Sequence, residues 1–219
     1  MAEIKAIAFD FDGVVLENAH VKTEAFVELF AEYGAEAQAR VKAHHLDNLG
    51  ISRFKKFAWI YDNVLHEPLS EEQSKALGER FSALALDKVL AAPFVTGARE
   101  ALTALVAHCP MFVVSGTPQE ELDLIVDRRD LRSSFREVHG SPREKPVILA
   151  DLLQRYKLSR DELLFIGDGM SDYKAAVAVG VEFLARDTPD LHDQWVSLEV
   201  ELRPDLRTLV DVVRGWGRV

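Results

Sequence analysis

The chain has 219 residues, of which 48% are hydrophobic and 28% charged, a composition that excludes a disordered protein and leaves room for one sizeable core, alone or with a smaller inserted domain. Its 26 basic against 36 acidic residues give a formal net charge of -10, which argues against non-specific attraction to nucleic acid or an anionic membrane. A phosphorylated small molecule is not excluded, because a divalent cation and a few local Lys or Arg residues set the potential inside a pocket.

The first element is an apolar run, Lys5 to Phe9, which reads as a strand buried on both faces and closes on Asp10 and Asp12 with Gly13 directly behind. From about Leu16 to Val95 no convincing strand follows. Phe26, Leu29, Phe30 and Tyr33 recur at helical spacing with Gly34 as a C-terminal stop, and Phe54, Phe57, Ala58 and Tyr61 repeat that spacing. Ser70 and Gln73 form a capping box that opens a further helix through Leu77, Phe81 and Leu84. A connection of roughly ninety residues is too long for a loop, so the expectation is an insertion of four or five helices above the sheet. Pro93 and Gly97 mark the return.

Strand-like runs Met111–Val114, Glu137–Gly140, Leu163–Ile166 and Val181–Ala185 then alternate with helical stretches Glu120–Val126, Pro146–Tyr156 and Tyr173–Ala178. Leu206, Leu209, Val210 and Val213 mark a last helix. Such alternation implies an α/β fold, a Rossmann-like parallel sheet wrapped by helices. The expected core is residues 1–15 with 93–219, and 16–92 the all-helical domain between. The single cysteine, Cys109, cannot form an internal disulfide and is expected to be a buried structural thiol. The N-terminus lacks the basic start and long apolar stretch of a secretory signal, and no apolar run reaches membrane-spanning length, so a cytoplasmic protein is expected.

In a doubly wound sheet, ligands bind outside the carboxyl ends of the strands. The polar residues that close the runs form a coherent set there: Asp10 and Asp12, then Ser115, Gly116 and Thr117, then Asp168 and Asp172, with Lys145 in the loop after the third strand. Carboxylates crowded at one sheet end repel one another, and a hard cation such as Mg²⁺ relieves them. Mg²⁺ beside a Lys, a hydroxyl and glycine-exposed amides suits a phosphoryl group. Asp10 at the strand tip can attack phosphorus, and Asp12 can protonate the leaving oxygen and then activate water. Gly13 turns the backbone away without a side chain in the pocket.

Four segments, "FDFDGVV", "VVSGTP", "REKP" and "FIGDGMSD", resemble in order the four motifs of the haloacid dehalogenase-like hydrolase superfamily. The helical insertion is similar to the cap of its phosphoglycolate phosphatase and β-phosphoglucomutase members. The resemblance implies Asp10 as nucleophile and Asp12 as general acid/base with its backbone carbonyl on the metal. It also implies Ser115 and Lys145 on the phosphoryl group, Asp168 as metal ligand, and Asp172 as a second ligand or a partner for Lys145. Val14 departs from the Thr that many members carry. An acid at position 12 favours phosphoryl transfer over dehalogenation, because a halide leaves unprotonated.

The segment "LGISRFKKF" resembles a substrate-contacting cap loop of β-phosphoglucomutase-like members, which makes Arg53 a candidate for a second anionic group of the substrate. Lys55 and Lys56 read more readily as a solvated face, and His44 and His45 as hinge or surface residues. Trp59 and Tyr61 read as core of the insertion, and Arg143 as a surface charge. The expected protein is a Mg²⁺-dependent phosphatase of a small phosphorylated metabolite, a monomer or homodimer without nucleic-acid or membrane partners. The alternatives are a phosphomutase, disfavoured by Leu49 where a basic residue would help, and a non-hydrolytic phospho-accepting module.

Overall fold

The computed structural model describes residues 3–216. In chain order these form β1 (Ala6–Phe9), α1 (Ala19–Leu29), α2 (Gly34–Asp47), α3 (Arg53–Ile60), α4 (Glu71–Ala91), α5 (Ala98–Leu105), β2 (Met111–Pro118), α6 (Gln119–Arg128), β3 (Glu137–Ser141), α7 (Lys145–Tyr156), β4 (Leu163–Gly167), α8 (Met170–Val179), β5 (Glu182–Arg186), α9 (His192–Ser197), β6 (Leu202–Arg203) and α10 (Leu209–Gly215). The strands make one sheet, ordered β3-β2-β1-β4-β5-β6 and parallel throughout. Successive residues of β1 serve opposite faces, as the two-residue repeat of a strand requires. Ala6 and Ala8 pack with Ile148, Leu152 and Ala176 of α7 and α8. Ile7 and Phe9 pack with Leu102, Leu122, Ile125 and Leu209 on the other side.

The chain leaves β1 for β2 and β3 on one side, then returns to lay β4 against the free edge of β1. The strand order therefore reverses beside β1, and a crevice opens at the carboxyl ends of β1, β2 and β4. Register fixes what lines it: Phe9 pairs with both Val113 and Ile166, so Asp10 leaves the sheet level with Val114 and Gly167. Beyond Val114 the pairing of β2 with β3 shifts before resuming at Pro118. Ser115, Gly116 and Thr117 thus sit in an irregular stretch within the strand rather than after it, where side chains are re-aimed.

Helices α1–α5 lie between β1 and β2, the first four of them before Pro93, and no helix among the described residues is long and apolar enough to cross a membrane. The outgoing and returning segments run side by side, with Glu17 N donating to Pro93 O (2.9 Å) and Val95 N to Val15 O (3.1 Å). Phe26, Phe57 and Phe81 meet where α1, α3 and α4 converge, with ring centroids 4.7 to 6.4 Å apart. The Ser70–Gln73 capping box opens α4.

Several sequence expectations need correction. Gly34, with φ +85°, does close a helical turn at Tyr33, but that turn is a separate 3₁₀ stretch, Ala31–Tyr33: α1 already stops at Leu29, and α2 begins at Gly34 itself. Helix α2 was not anticipated, because only Val41 and His45 are buried on it and the apolar period is too sparse to read. The buried face of α3 is Arg53, Lys56, Phe57 and Ile60; Phe54 and Ala58, expected inside, are exposed. The short α9 and edge strand β6 were also missed, and Cys109 is half-buried rather than buried, with burial lifting its thiol to about 11.

Candidate active site

The turn after β1 is shaped by local hydrogen bonds: Val15 N donates to Phe11 O (2.9 Å) and Gly13 N to Leu16 O (2.8 Å). Gly13 has φ +77°, and a Cβ there would lie 1.9 Å from Asp168 Oδ2, so both conformation and space demand glycine. The turn leaves Asp10 and Asp12 in different environments. Asp10 is buried, its backbone N–H donates to Ile166 O (2.8 Å), and its Oδ1 accepts from Phe11 N (2.8 Å). Lys145, the first residue of α7 rather than a loop residue, reaches in so that Nζ lies 3.1 Å from Asp10 Oδ1 and donates to Asp172 Oδ1 (2.5 Å). Asp172 Oδ2 accepts from Gly169 N (3.1 Å), so this carboxylate also caps the start of α8.

Asp10, Asp168 and Asp172 each offer an oxygen, all within 4.8 Å of one another. Burial lifts the Asp10 carboxyl to about 7 against the pull of Lys145, and burial together with Asp10 and Asp172 raises Asp168 well above its ordinary value. Burial also raises Asp172, while the two carboxylates hold the Lys145 ammonium above its usual range despite burial. Three carboxylates sharing one ammonium remain short of positive charge. All-oxygen donors without Cys or His suit a hard divalent cation, so the residues present fit a metal.

The Asp12 side chain points elsewhere. It accepts from Asn18 Nδ2 (2.6 Å), from Thr117 Oγ1 (2.7 Å) and from the Lys22 ammonium, which also donates to Thr117 Oγ1 (2.7 Å). Burial raises this carboxyl, but Lys22, Thr117 and Asn18 outweigh it and hold Asp12 below its ordinary value. The pair two residues apart is therefore split between two environments: Asp10 raised by burial beside the acidic cluster, Asp12 lowered by its cage of donors.

The segment Leu49–Gly50–Ile51, between α2 and α3, lies across the crevice. Ser171 Oγ donates to Leu49 O (2.5 Å), and a Cβ on Gly116 would come within 2.4 Å of Gly50 O. It divides the expected residues between two cavities. Asp10, Asp12, Thr117, Asp168 and Arg53 line one of about 50 Å³. Ser115 and Lys145 line a second of about 190 Å³, and Gly116 borders both. Ser115 Oγ meanwhile accepts from Thr117 N (3.1 Å).

Arg53 lines the first cavity, but its guanidinium is committed. It donates to Glu121 Oε1 (2.6 Å) and Ser82 Oγ (2.8 Å), Ser82 Oγ donates to Glu121 Oε2 (2.6 Å), and the plane covers the Phe81 ring at 4.3 Å. Lys56, read as a solvated residue, is buried on the cavity wall, and His45, read as hinge or surface, is buried beside it. Lys55 and Arg143 are exposed, on Glu144 and Asp151. Sequence reasoning missed Lys22, Lys56 and His45. A signal existed for the lysines: Lys22 adjoins the buried positions Val21, Ala25 and Phe26, and Lys56 sits with Phe57 and Ile60 at the apolar spacing of α3.

A family model described as haloacid dehalogenase-like hydrolase matches residues 4–180. The chain belongs to that family. Among haloacid dehalogenase-like relatives, it is 28% identical over 185 residues to a phosphoglycolate phosphatase of Photobacterium profundum, covering 80% of each chain. Its fold is similar to a structure titled a predicted phosphoglycolate phosphatase from Haemophilus somnus (TM-score 0.71, 18% identity, 97% and 99% of the two chains). A β-phosphoglucomutase from Clostridium difficile is also similar (TM-score 0.75, 14% identity, 94% and 93%). At these identities the structures speak for the haloacid dehalogenase-like fold alone.

Proposed function

We propose that the protein is a phosphatase that hydrolyses a small phosphomonoester through an aspartyl-phosphate on Asp10, with Mg²⁺ as cofactor. The observation that carries this is the grouping of Asp10 with Lys145, Asp168 and Asp172 at one end of the sheet, with Asp12 two residues on in its own set of hydrogen-bond partners. An Asp10 carboxylate oxygen attacks phosphorus, the ester P–O bond breaks, and the leaving oxygen takes a proton from Asp12, which must enter the step protonated against the pull of Lys22, Thr117 and Asn18. Asp12 then accepts a proton from water, the water oxygen attacks phosphorus, and the P–O bond to Asp10 breaks to release phosphate. Lys145 holds the charge of Asp10 and Asp172 and would meet the incoming phosphoryl oxygens with Ser115 and the Gly116 amide, the Thr117 amide being engaged by Ser115 Oγ. Asp10, Asp168, Asp172 and the Asp12 carbonyl would hold Mg²⁺, which would supply the positive charge that the transferring group requires.

Residues 16–92 form a cap over a core of 1–15 and 93–219, and the paired segments at 15–17 and 93–95 are its hinge. Closure places Leu49–Ile51 at the crevice, as here, and opening admits substrate. A phosphomutase needs a site for a second phosphate on the cap; the commitment of Arg53 to Glu121 and Ser82 favours hydrolysis. The enzyme is taken as cytoplasmic, a monomer or homodimer. The test is phosphate release from sugar phosphates, phospho-acids and nucleotides, with and without Mg²⁺. Metal-dependent release that disappears in Asp10→Asn supports the reading; a folded, metal-binding protein that releases none overturns it.

A further inference from the structure

We infer that Arg186 is a positioning residue for the metal: its charge sets how tightly the acidic cluster holds a divalent cation, and Glu17, on the strap that leads into the helical insertion, sets how much of that charge reaches the cluster. This rests on the phosphatase reading, with its metal at Asp10, Asp168 and Asp172. Gly167 of β4 pairs with Ala185 of β5, so Asp168 and Arg186 leave the sheet side by side at its carboxyl edge. Both line a cleft of about 880 Å³ whose other wall comes from α1 and α2. Lys145 enters from the start of α7, after β3, and Arg186 from the end of β5, so two cations approach the cluster from opposite ends of the sheet.

The Arg186 side chain is 13% exposed, and its Nη2 donates to Glu17 Oε2 (2.5 Å). Its Nε is buried with no hydrogen-bond partner, so among the described residues the guanidinium is only partly satisfied. Other acids close by are engaged: Asp187 Oδ2 lies 2.8 Å from His192 Nδ1, and Asp205 accepts from Arg207 Nε (2.8 Å). Burial, Asp10 and Asp172 raise the Asp168 carboxyl, and Lys145 and then Arg186 oppose them, so the guanidinium charge is felt at the proposed metal ligand. A cation so placed repels a divalent ion at the same carboxylates, and Glu17 offsets that repulsion. Arginine cannot shed its proton to escape the conflict, so only geometry governs the charge it presents. Glu17 N also donates to Pro93 O in the paired strap between sheet and insertion. A movement that draws Glu17 away leaves the guanidinium unopposed beside the cluster, which ties metal affinity to the position of the strap.

Calorimetry of Mg²⁺ binding without substrate separates this inference from the chemistry. Arg186→Met is expected to bind Mg²⁺ about threefold to tenfold more tightly than the native protein, Glu17→Gln about threefold more loosely, and Arg186→Lys, which keeps the charge, within about twofold of native. Adding Glu17→Gln to Arg186→Met is expected to change affinity by less than about twofold, because Glu17 acts through the guanidinium and, once released, is screened by solvent. A purely structural bridge would instead lower the urea stability of every variant and leave Mg²⁺ affinity alone. Unchanged or weaker binding by Arg186→Met overturns the inference, and so does an additive double variant. If circular dichroism shows that Arg186→Met does not fold, Glu17→Gln decides: unchanged or tighter binding overturns it. No Mg²⁺ binding by the native protein overturns the inference together with the metal of the phosphatase reading. Metal-dependent phosphate release from the ester panel, with Mg²⁺ affinity the same in all variants, overturns the inference alone.

Discussion

At the sheet edge, three buried carboxylates share the ammonium of Lys145; in the helical insertion, the buried ammonium of Lys56 has no carboxylate within ion-pair distance among the described residues. The two regions face each other across one small cavity and are unbalanced in opposite senses. The sheet edge is short of a cation, the insertion short of an anion. Neither imbalance would suit a merely structural interface, where buried charges are paired. A metal on one side and an anionic substrate between them satisfy both, and substitutions on either side test the comparison.

The largest effect is expected at the sheet edge. Asp10→Asn keeps the shape of the side chain and removes the nucleophile, so phosphate release should fall by about 10³-fold or more with circular dichroism unchanged. Retained turnover would transfer the covalent role to another residue. Next comes Lys145→Met, which deprives Asp10 and Asp172 of their counter-charge. Release should fall by about 10²-fold, and stability by about 3 kcal/mol in the absence of metal. Because Mg²⁺ can take over that neutralisation, adding it should raise the melting temperature of the variant more than that of the native protein. An equal rise in both would mean that these carboxylates do not hold the metal.

In the insertion, Arg53→Met separates a substrate ligand from a structural pair. The Arg53–Glu121–Ser82 cluster joins α3 and α4 to α6 and is nearly buried. Its loss should cost about 2–4 kcal/mol in urea unfolding. Burial raises Glu121, but Arg53 more than offsets it and holds the carboxyl below its ordinary 4.5. A depressed acid stabilises above its unfolded value and loses that contribution as pH falls through its folded one. The cost of Arg53→Met should therefore shrink below pH 4.5. Unchanged stability with a large rise in KM would instead restore Arg53 to the substrate.

The sheet edge was legible in the sequence because each of its residues closes a local pattern. Asp10 ends an apolar run, Asp168 follows another, and the strand order that unites them follows from the alternation of strands and helices. What was not legible depended on contacts distant in sequence. Arg53 is matched by Glu121, sixty-eight residues away, and nothing near Arg53 indicates that it is occupied. On α3, the aromatic residues suggested a face through Phe54 and Ala58, whereas packing against Phe26 and Phe81 selects the face one residue earlier. That rotation carries Arg53 and Lys56 inside. A polar residue at an apolar phase was the available clue, and it competed with a more obvious hydrophobic one.

The smallest predicted effect has the opposite sign. Lys56→Met should stabilise the ligand-free protein, by about 1–2 kcal/mol at pH 6, because it replaces a buried charge that lacks a counter-ion with an apolar chain of similar length. Burial, then the Lys22 and Lys145 charges, lowers the Lys56 ammonium from 10.5 to about 7. Between those values the unfolded chain binds the extra proton, so the native protein gains stability as pH rises through this window. The variant lacks that gain, and its advantage should shrink from pH 6 to pH 9.5 in paired melting curves. A variant less stable than the native protein at pH 6 would show that Lys56 is compensated without substrate, and the asymmetry between the two walls would be lost.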